Sequence, residues 1–188
     1  MNTRWLNSLW RAGVCLLMFL TAPLVSHALM IELSLADLVN RSGAIVIGRV
    51  EKTESFWKDE IIYTHVTITC TDSLLGSFKN DSLIVEVVGG EVGEIGMKVS
   101  DTPTFTVGTD VFLFLQGMGR EVSSNSAAAG MPVYSVAGRA QGLFVIGANG
   151  MVQRQGFTVR NPSAAGAGDM SVNDLIGTVR QLLAEKQK

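Results

Sequence analysis

Residues 61–72, IIYTHVTITCTD, alternate two kinds of side chain with a period of two. One face of this segment is apolar and consists of Ile62, Val66, Ile68 and Cys70. The opposite face carries Tyr63, His65, Thr67 and Thr69. Most of these residues are β-branched, which suits the pleated surface of a strand with one buried face. The segment therefore predicts an antiparallel sheet rather than a helical fold.

The rest of the chain repeats this pattern in short pieces. Further strands are predicted by AIVIGRVEKTESFW, SLIVEVV, VFLFL, MPVYSVAG, QGLFVIG and GMVQRQ. Two helices flank them, and each opens with a serine followed three residues later by an aspartate, at Ser34 and Asp37 and again at Ser171 and Asp174. Because strands and helices do not alternate, we expect a small antiparallel barrel or curved sheet with helical additions.

The first 28 residues have the composition of a cleavable export signal. A basic start with Arg4 and Arg11 runs into the apolar stretch VCLLMFLTAPLV and then small residues at Ser26 and Ala28. The alternative is an uncleaved anchor, but the apolar stretch is shorter than the roughly 20 residues that span a bilayer. We expect cleavage before Leu29, followed by a barrel domain at 29–160, a linker at 161–170 and an amphipathic helix at 171–188.

Charge and cysteine content narrow the function of the processed chain. Without Arg4 and Arg11, 13 of the 15 basic residues remain against 17 acidic ones, and they are scattered singly. This distribution offers no footprint for nucleic acid and no patch for an anionic membrane. Only Cys70 remains of the two cysteines, so an exported domain of this size must depend on its hydrophobic core instead of a disulfide.

The segment GGEVGEIGMKV, residues 89–99, is the feature closest to a functional motif. A phosphate-binding loop would need a helix after the glycines, whereas an extended segment with Pro103 follows here. Glu91 and Glu94 alone are too few for a calcium loop. We therefore expect the glycines to provide positive φ or close backbone approach where a strand bends, with an exposed binding loop as the alternative.

Four other residues were considered for chemistry. His65 is the only histidine left after processing and is expected to be an ordinary surface residue on its strand. Cys70 lies on the predicted core face, where a thiol stays inert. Phe56 and Trp57 stand beside the polar turn at 58–60, and we expect one ring to pack while the other is free to bind a partner.

Several segments together resemble a group of exported bacterial proteins of unassigned function. They are LSLADLVNRSGAIVIGRV, IIYTHVTI, LLGSF, GGEVGEIGMKV, PTFTVGTDVFLFL and AQGLFVI, and they span roughly residues 33–147. More distantly, the chain is similar to netrin-like modules, including the tissue inhibitors of metalloproteinases, and this resemblance implies an OB-fold barrel. Those inhibitors use an N-terminal cysteine and several disulfides, which this chain lacks, so protease inhibition is not implied.

The sequence thus predicts an exported, non-enzymatic, OB-like β-barrel, periplasmic or secreted, that binds another exported protein or an extended polymer. No catalytic residue, cofactor or metal is expected, and neither is a nucleic-acid partner or stable membrane insertion after signal cleavage. The candidate binding rim consists of Gly90, Glu91, Gly93, Glu94, Gly96, Phe56 and Trp57. One alternative is an envelope hydrolase that uses the rim acids Asp59, Glu60, Glu91 and Glu94. Another is a secretion or assembly factor whose outer face pairs with a second chain.

Overall fold

The computed structural model describes residues 32–78, 81–122, 129–156 and 170–186. The predicted signal peptide, 1–28, and nearly all of the predicted linker, 161–170, lie outside the described residues. The two helices are α1 (Leu35–Arg41) and α2 (Val172–Lys186), and the strands are β1 (Ala44–Lys58), β2 (Ile61–Leu75), β3 (Ser82–Val88), β4 (Gly90–Val92), β5 (Ile95–Met97), β6 (Asp110–Glu121), β7 (Pro132–Val136), β8 (Leu143–Ile146) and β9 (Val152–Arg154). A short 3₁₀ helix, Arg139–Gly142, precedes β8.

The described part of the chain is mainly β, as the sequence predicts. Seven strands form one sheet in the order β1-β2-β3-β7-β6-β8-β9, and β1 also pairs with β6. The pairings therefore run from β1 through β2, β3, β7 and β6 and return to β1. All of them are antiparallel except β3 with β7, which pair in parallel at Ile84–Val133 and Val85–Tyr134.

Two hydrophobic clusters lie on opposite faces of this sheet. Alternate residues of the strands, including Val66, Ile68, Leu83 and Leu113, form a core on one face. On the other face, Phe112, Phe114 and Phe144 pack against both helices. β1 supplies both clusters because it is buried on both sides at its start, as its uninterrupted apolar run predicts.

Both helices begin as their sequences predict. The Ser34 side chain accepts from the Asp37 N–H at 3.1 Å, and the Asp37 carboxylate accepts from the Ser34 N–H at 3.0 Å. In α2 the Ser171 side chain accepts from the Asp174 N–H at 3.2 Å. These contacts span three residues, so each cap forms independently of the rest of the fold.

The beginning of the described chain is held by Arg154. The Arg154 guanidinium donates to the Leu33 carbonyl at 2.7 Å, while its Nε donates to the Gln141 carbonyl at 2.9 Å. The Leu33 N–H donates to Gln141 Oε1 at 2.7 Å. Burial lowers the pKa of Arg154, and the charge of Glu32, 3.5 Å away, opposes this shift. The segment just after the expected cleavage site is thus fastened to β9 and to the 3₁₀ helix.

β1 and β2 form a hairpin that extends past their neighbours. Its turn contains two residues, Asp59 and Glu60, with φ of 48° and 62°, the signature of a type I′ turn. β6 pairs with β1 only over residues 44–49, and Val50 is the last residue of β1 bonded to that side. Within the described residues, no strand pairs with the outer edge of β1 from 51 to 58.

Residues 117–130, GMGREVSSNSAAAG, are small and polar and predict a loop of about fourteen residues, but the first part of this segment forms a strand. β6 continues to Glu121 and pairs with β7 at Gly117–Tyr134 and Glu121–Pro132, with a bulge between these pairs. The sequence suggested a loop because its small polar residues show no periodicity, but pairing to β7 needs only their backbone groups. Residues 123–128 lie outside the described residues.

Candidate functional site

An open cleft of about 850 Å³ lies at one end of the sheet. The β1–β2 hairpin forms one wall through Thr53, Ser55, Thr64 and Val66. The end of β3 and residues 89–91 form a second wall, and residues 96–105 form a third. Hydroxyl groups and glycine backbone therefore alternate with apolar side chains such as Val87 and Phe105, a mixture typical of ligand-binding clefts.

A chain of hydrogen bonds fastens the glycine segment to the β1–β2 hairpin. The Thr64 hydroxyl donates to the Gly89 carbonyl at 2.6 Å, and the Glu91 N–H donates to Ser55 Oγ at 3.3 Å. Ser55 Oγ and Thr64 Oγ1 are 2.9 Å apart, and since the Thr64 proton is directed to Gly89, Ser55 is the donor between them. The backbone is thus held on both sides of Gly90.

Gly90 is required by this arrangement. Its φ of 134° is one that L-residues rarely adopt. A Cβ at this position would overlap the hydroxyl oxygens of Thr64 and Ser55 and lie 3.1 Å from Ser55 Cβ. The prediction that the glycines provide positive φ or close approach is confirmed here and for Gly89, whose φ is 103°.

The other predicted rim residues are distributed around a small hairpin made of β4 and β5. Gly93, with φ of 63°, and Glu94 form its turn. Glu91 and Gly96 lie on its strands and line the cleft. Gly96 has no positive φ, and a Cβ there would make an ordinary 3.5 Å contact with Glu91. The structural explanation of the glycines therefore does not extend to Gly96.

The aromatic pair divides as expected. The Phe56 ring packs edge-on against the His65 ring at 4.5 Å and stacks with Tyr63 at 6.3 Å. Trp57 is 46% exposed. Neither lines the cleft, so the structure does not bring them together with the glycine segment into one site.

The four acids considered for hydrolysis occupy two different turns and one strand. Asp59 and Glu60 form the turn of the β1–β2 hairpin, whereas Glu94 lies in the turn between β4 and β5. Of the four, Glu91 alone lines the cleft. Among the described residues, no group of three or more histidine, cysteine or acidic side chains is arranged to hold a metal ion.

His65 belongs to a partly buried charged cluster formed with Glu86 and Arg120, which corrects the prediction of an ordinary surface residue. Its Nε2 lies 3.1 Å from Glu86 Oε2, and Arg120 binds the other oxygen of Glu86 at 2.5 Å. Burial alone would raise the pKa of Glu86, whose side chain is only 4% exposed. The hydrogen bonds from His65 and Arg120 outweigh burial and lower the pKa of Glu86 below its usual value.

Sequence reasoning missed Glu86 and Arg120 because their contact depends on two features of the sheet. The register of β2 with β3 places His65 directly opposite Glu86. The bulge in β6, between Gly117 and Glu121, contains both Gly119, with φ of 66°, and Arg120. Bulges redirect side chains, and a glycine inside a strand segment was the only available signal. The hydroxyls of Ser55 and Thr64 were missed for a similar reason, since nothing local marks them as anchors.

Cys70 lies in the core as predicted, at 1% exposure. Burial, reinforced by the charge of Asp81, raises the pKa of the thiol to about 11. Since the thiolate is the reactive form, we expect almost no labelling of the folded protein by an alkylating reagent, and complete labelling in denaturant. Mass spectrometry measures both, and rapid labelling of the native protein would contradict the observed burial.

Comparisons with known proteins leave the family open. No protein-family model matches the chain, and the search of curated proteins finds no match either. Among the described residues, neither helix has the length and apolar character needed to cross a membrane.

Proposed function

We propose that this protein is an exported binding module with an OB-like barrel, which binds a segment of another protein or an extended polymer in the cleft without catalysis. The cleft is the observation that carries the proposal, because it combines apolar floor residues with hydroxyls and exposed backbone. Its lining would accept a chain-like ligand that offers both hydrogen-bonding groups and apolar side chains.

The barrel part of the proposal rests on the strand pairings. The sequence β1, β2, β3, β7, β6 and back to β1 is a closed circuit of five strands, with the parallel pair between β3 and β7. This five-stranded circuit and the apolar cluster on one of its faces are the observations that support the proposal of an OB-like barrel. A relation to exported OB-like proteins and, more distantly, to netrin-like modules is part of the same proposal.

Export is tested by the N-terminus of the protein isolated from a producing cell. We expect a chain that begins at or within a few residues of Leu29, since small residues precede it and the fastened segment begins at Leu33. Mass spectrometry of the intact protein gives the answer directly. Recovery of the full chain from the membrane fraction would contradict export with cleavage.

Binding in the cleft is tested by a photo-reactive residue in producing cells. Thr104 lines the cleft, whereas Thr106, two residues further, does not. Both are exposed, so they form a matched pair. We expect a benzophenone amino acid at Thr104 to cross-link a discrete partner and the same residue at Thr106 to give none.

The partner found in this way allows a second measurement. Thr104→Arg, which fills the cleft, should weaken binding of the purified partner by about tenfold or more. Thr106→Arg should leave the affinity unchanged. Cross-linking that is equal at both positions, or equal affinities of the two arginine variants, would place the binding surface elsewhere and refute the cleft as the site.

A further inference from the structure

Among the described residues, nothing bonds to the backbone groups on the outer edge of β1 from 51 to 58. In a two-residue hairpin the residues that flank the turn bond each other, which here are Lys58 and Ile61. Alternate residues therefore direct their N–H and C=O groups to the other side. Those residues are Thr53, Ser55 and Trp57, and Val50 is the last residue of β1 whose backbone is bonded there.

The charged side chains along this edge alternate between positive and negative. Lys52, Glu54, Phe56 and Lys58 share one face of β1, and Glu60 follows in the turn. From Lys52 to Glu60 the order is base, acid, Phe56, base, acid. In the reverse direction the order is acid, base, Phe56, acid, base, so acids and bases exchange places around Phe56. A second copy of the row, running antiparallel, would therefore meet opposite charges at each position.

Only some registers also match the backbone. In an antiparallel pair, residues that face each other either both bond across the strands or both point away. With Phe56 opposite Phe56 of a second copy, Trp57 faces Ser55, and both belong to the set with free backbone groups. The same register places Glu54 opposite Lys58, and it brings Lys52 next to the turn that carries Glu60. The exposed Trp57 ring would cover the small Ser55 side chain of the other copy.

We propose that two copies of this protein associate through the free edge of β1, in antiparallel register with the two-fold axis at Phe56. Charged side chains usually protect a free edge against pairing. Here the charges are self-complementary, so they would exclude other strands and favour a second copy. Lys52 and Glu54 bind each other at 2.6 Å and are each about half exposed, so association would redirect Glu54 from Lys52 to Lys58 of the other copy.

Sedimentation velocity of the processed protein over a wide range of concentration tests the association. We expect a reversible monomer–dimer equilibrium. Because of the two-fold axis, Glu54→Lys or Lys58→Glu alone places two like-charge pairs in the interface and should weaken the dimer by about tenfold or more. The double variant Glu54→Lys with Lys58→Glu should restore it. Thermal unfolding of each variant checks that the monomer is intact.

A cysteine on the axis tests the register independently. Phe56→Cys should form a disulfide-linked dimer on mild oxidation, since residues facing each other across such a pair have Cβ atoms within disulfide range. Thr67→Cys, on the same face of β2 but away from the edge, is the control and should stay monomeric. The buried Cys70 does not compete.

Each of the following outcomes would overturn the proposal. The processed protein could remain monomeric at all concentrations, or form a dimer that neither single charge reversal weakens. The double variant could fail to recover association, or Phe56→Cys could cross-link no better than Thr67→Cys. Thr53 and Ser55 belong to both the edge and the cleft wall, but these readouts measure association between copies, whereas cross-linking at Thr104 measures binding in the cleft, so the two proposals can fail separately.

Discussion

Replacing Arg154 by methionine should destabilise the protein by about 3–5 kcal/mol. Methionine keeps the contact with the Phe144 ring, which lies 5.6 Å from the guanidinium carbon, but removes every donor. The Leu33 and Gln141 carbonyls and the Gln141 side chain all lose a hydrogen bond at a side chain that is only 10% exposed. Urea unfolding followed by tryptophan fluorescence measures the loss.

Two further variants separate the hydrogen bonds of Arg154 from its charge. Glu32→Gln removes the charge partner at 3.5 Å, but Glu32 is 52% exposed, so we expect a change of no more than about 0.5 kcal/mol. Arg154→Lys keeps the charge but cannot reach all three acceptors, and its stability should fall between the other two. Equal stability of Arg154→Met and the natural protein would mean that the segment at Glu32 and Leu33 contributes nothing to the fold.

Gly90→Ala should destabilise the protein by about 2–4 kcal/mol. The new methyl group would overlap the Ser55 and Thr64 hydroxyls, and the backbone cannot move away because Gly89 and Glu91 are both bonded to the same two side chains. The φ of 134° adds strain for any residue with a Cβ. Thermal and urea unfolding provide the measurement.

Gly96→Ala, in the same glycine segment, is the matched control. Gly96 has no positive φ and space for a methyl group, so alanine there should leave stability unchanged or raise it slightly. Glu91→Ala should also cost little, because that side chain is exposed. If Gly90→Ala has the same melting temperature as the natural protein, the glycines are not needed for the backbone bend. They would then leave room for a ligand in the cleft, and cross-linking at Thr104 tests that alternative.

Local features were predicted from the sequence because their causes lie within a few residues. Ser34 and Ser171 cap their helices through contacts to Asp37 and Asp174, three positions away. The alternation in residues 61–72 predicted which face of β2 is buried and therefore the position of Cys70. Positive φ at Gly89, Gly90 and Gly93 was predicted because glycine has no Cβ to oppose it, although Gly96 in the same segment does not adopt it.

Contacts between residues far apart in the sequence could not be predicted, because they depend on the folded arrangement of the strands. Arg154 binds the carbonyl of Leu33, 121 residues away in the sequence, and no periodicity predicts that contact. His65 became part of a charged cluster because strand register and a bulge placed Glu86 and Arg120 beside it.

In the candidate site, too, some features were predicted from the local sequence and others depend on the fold. The glycine segment was recognised from its composition, but its anchors Ser55 and Thr64 were not. Hydroxyl side chains are common in strands, and the partners of these two depend on where the β4–β5 hairpin lies in the fold.

Within the described residues, the outer edge of β1 is unpaired after Val50 because β6 pairs with β1 only over residues 44–49. Most strands, the caps and the bends could be read from the residues of each segment, since they depend on local sterics and periodicity. The cleft, the charged cluster and the open edge arise only in the folded chain, because each depends on which strands become neighbours and in which register.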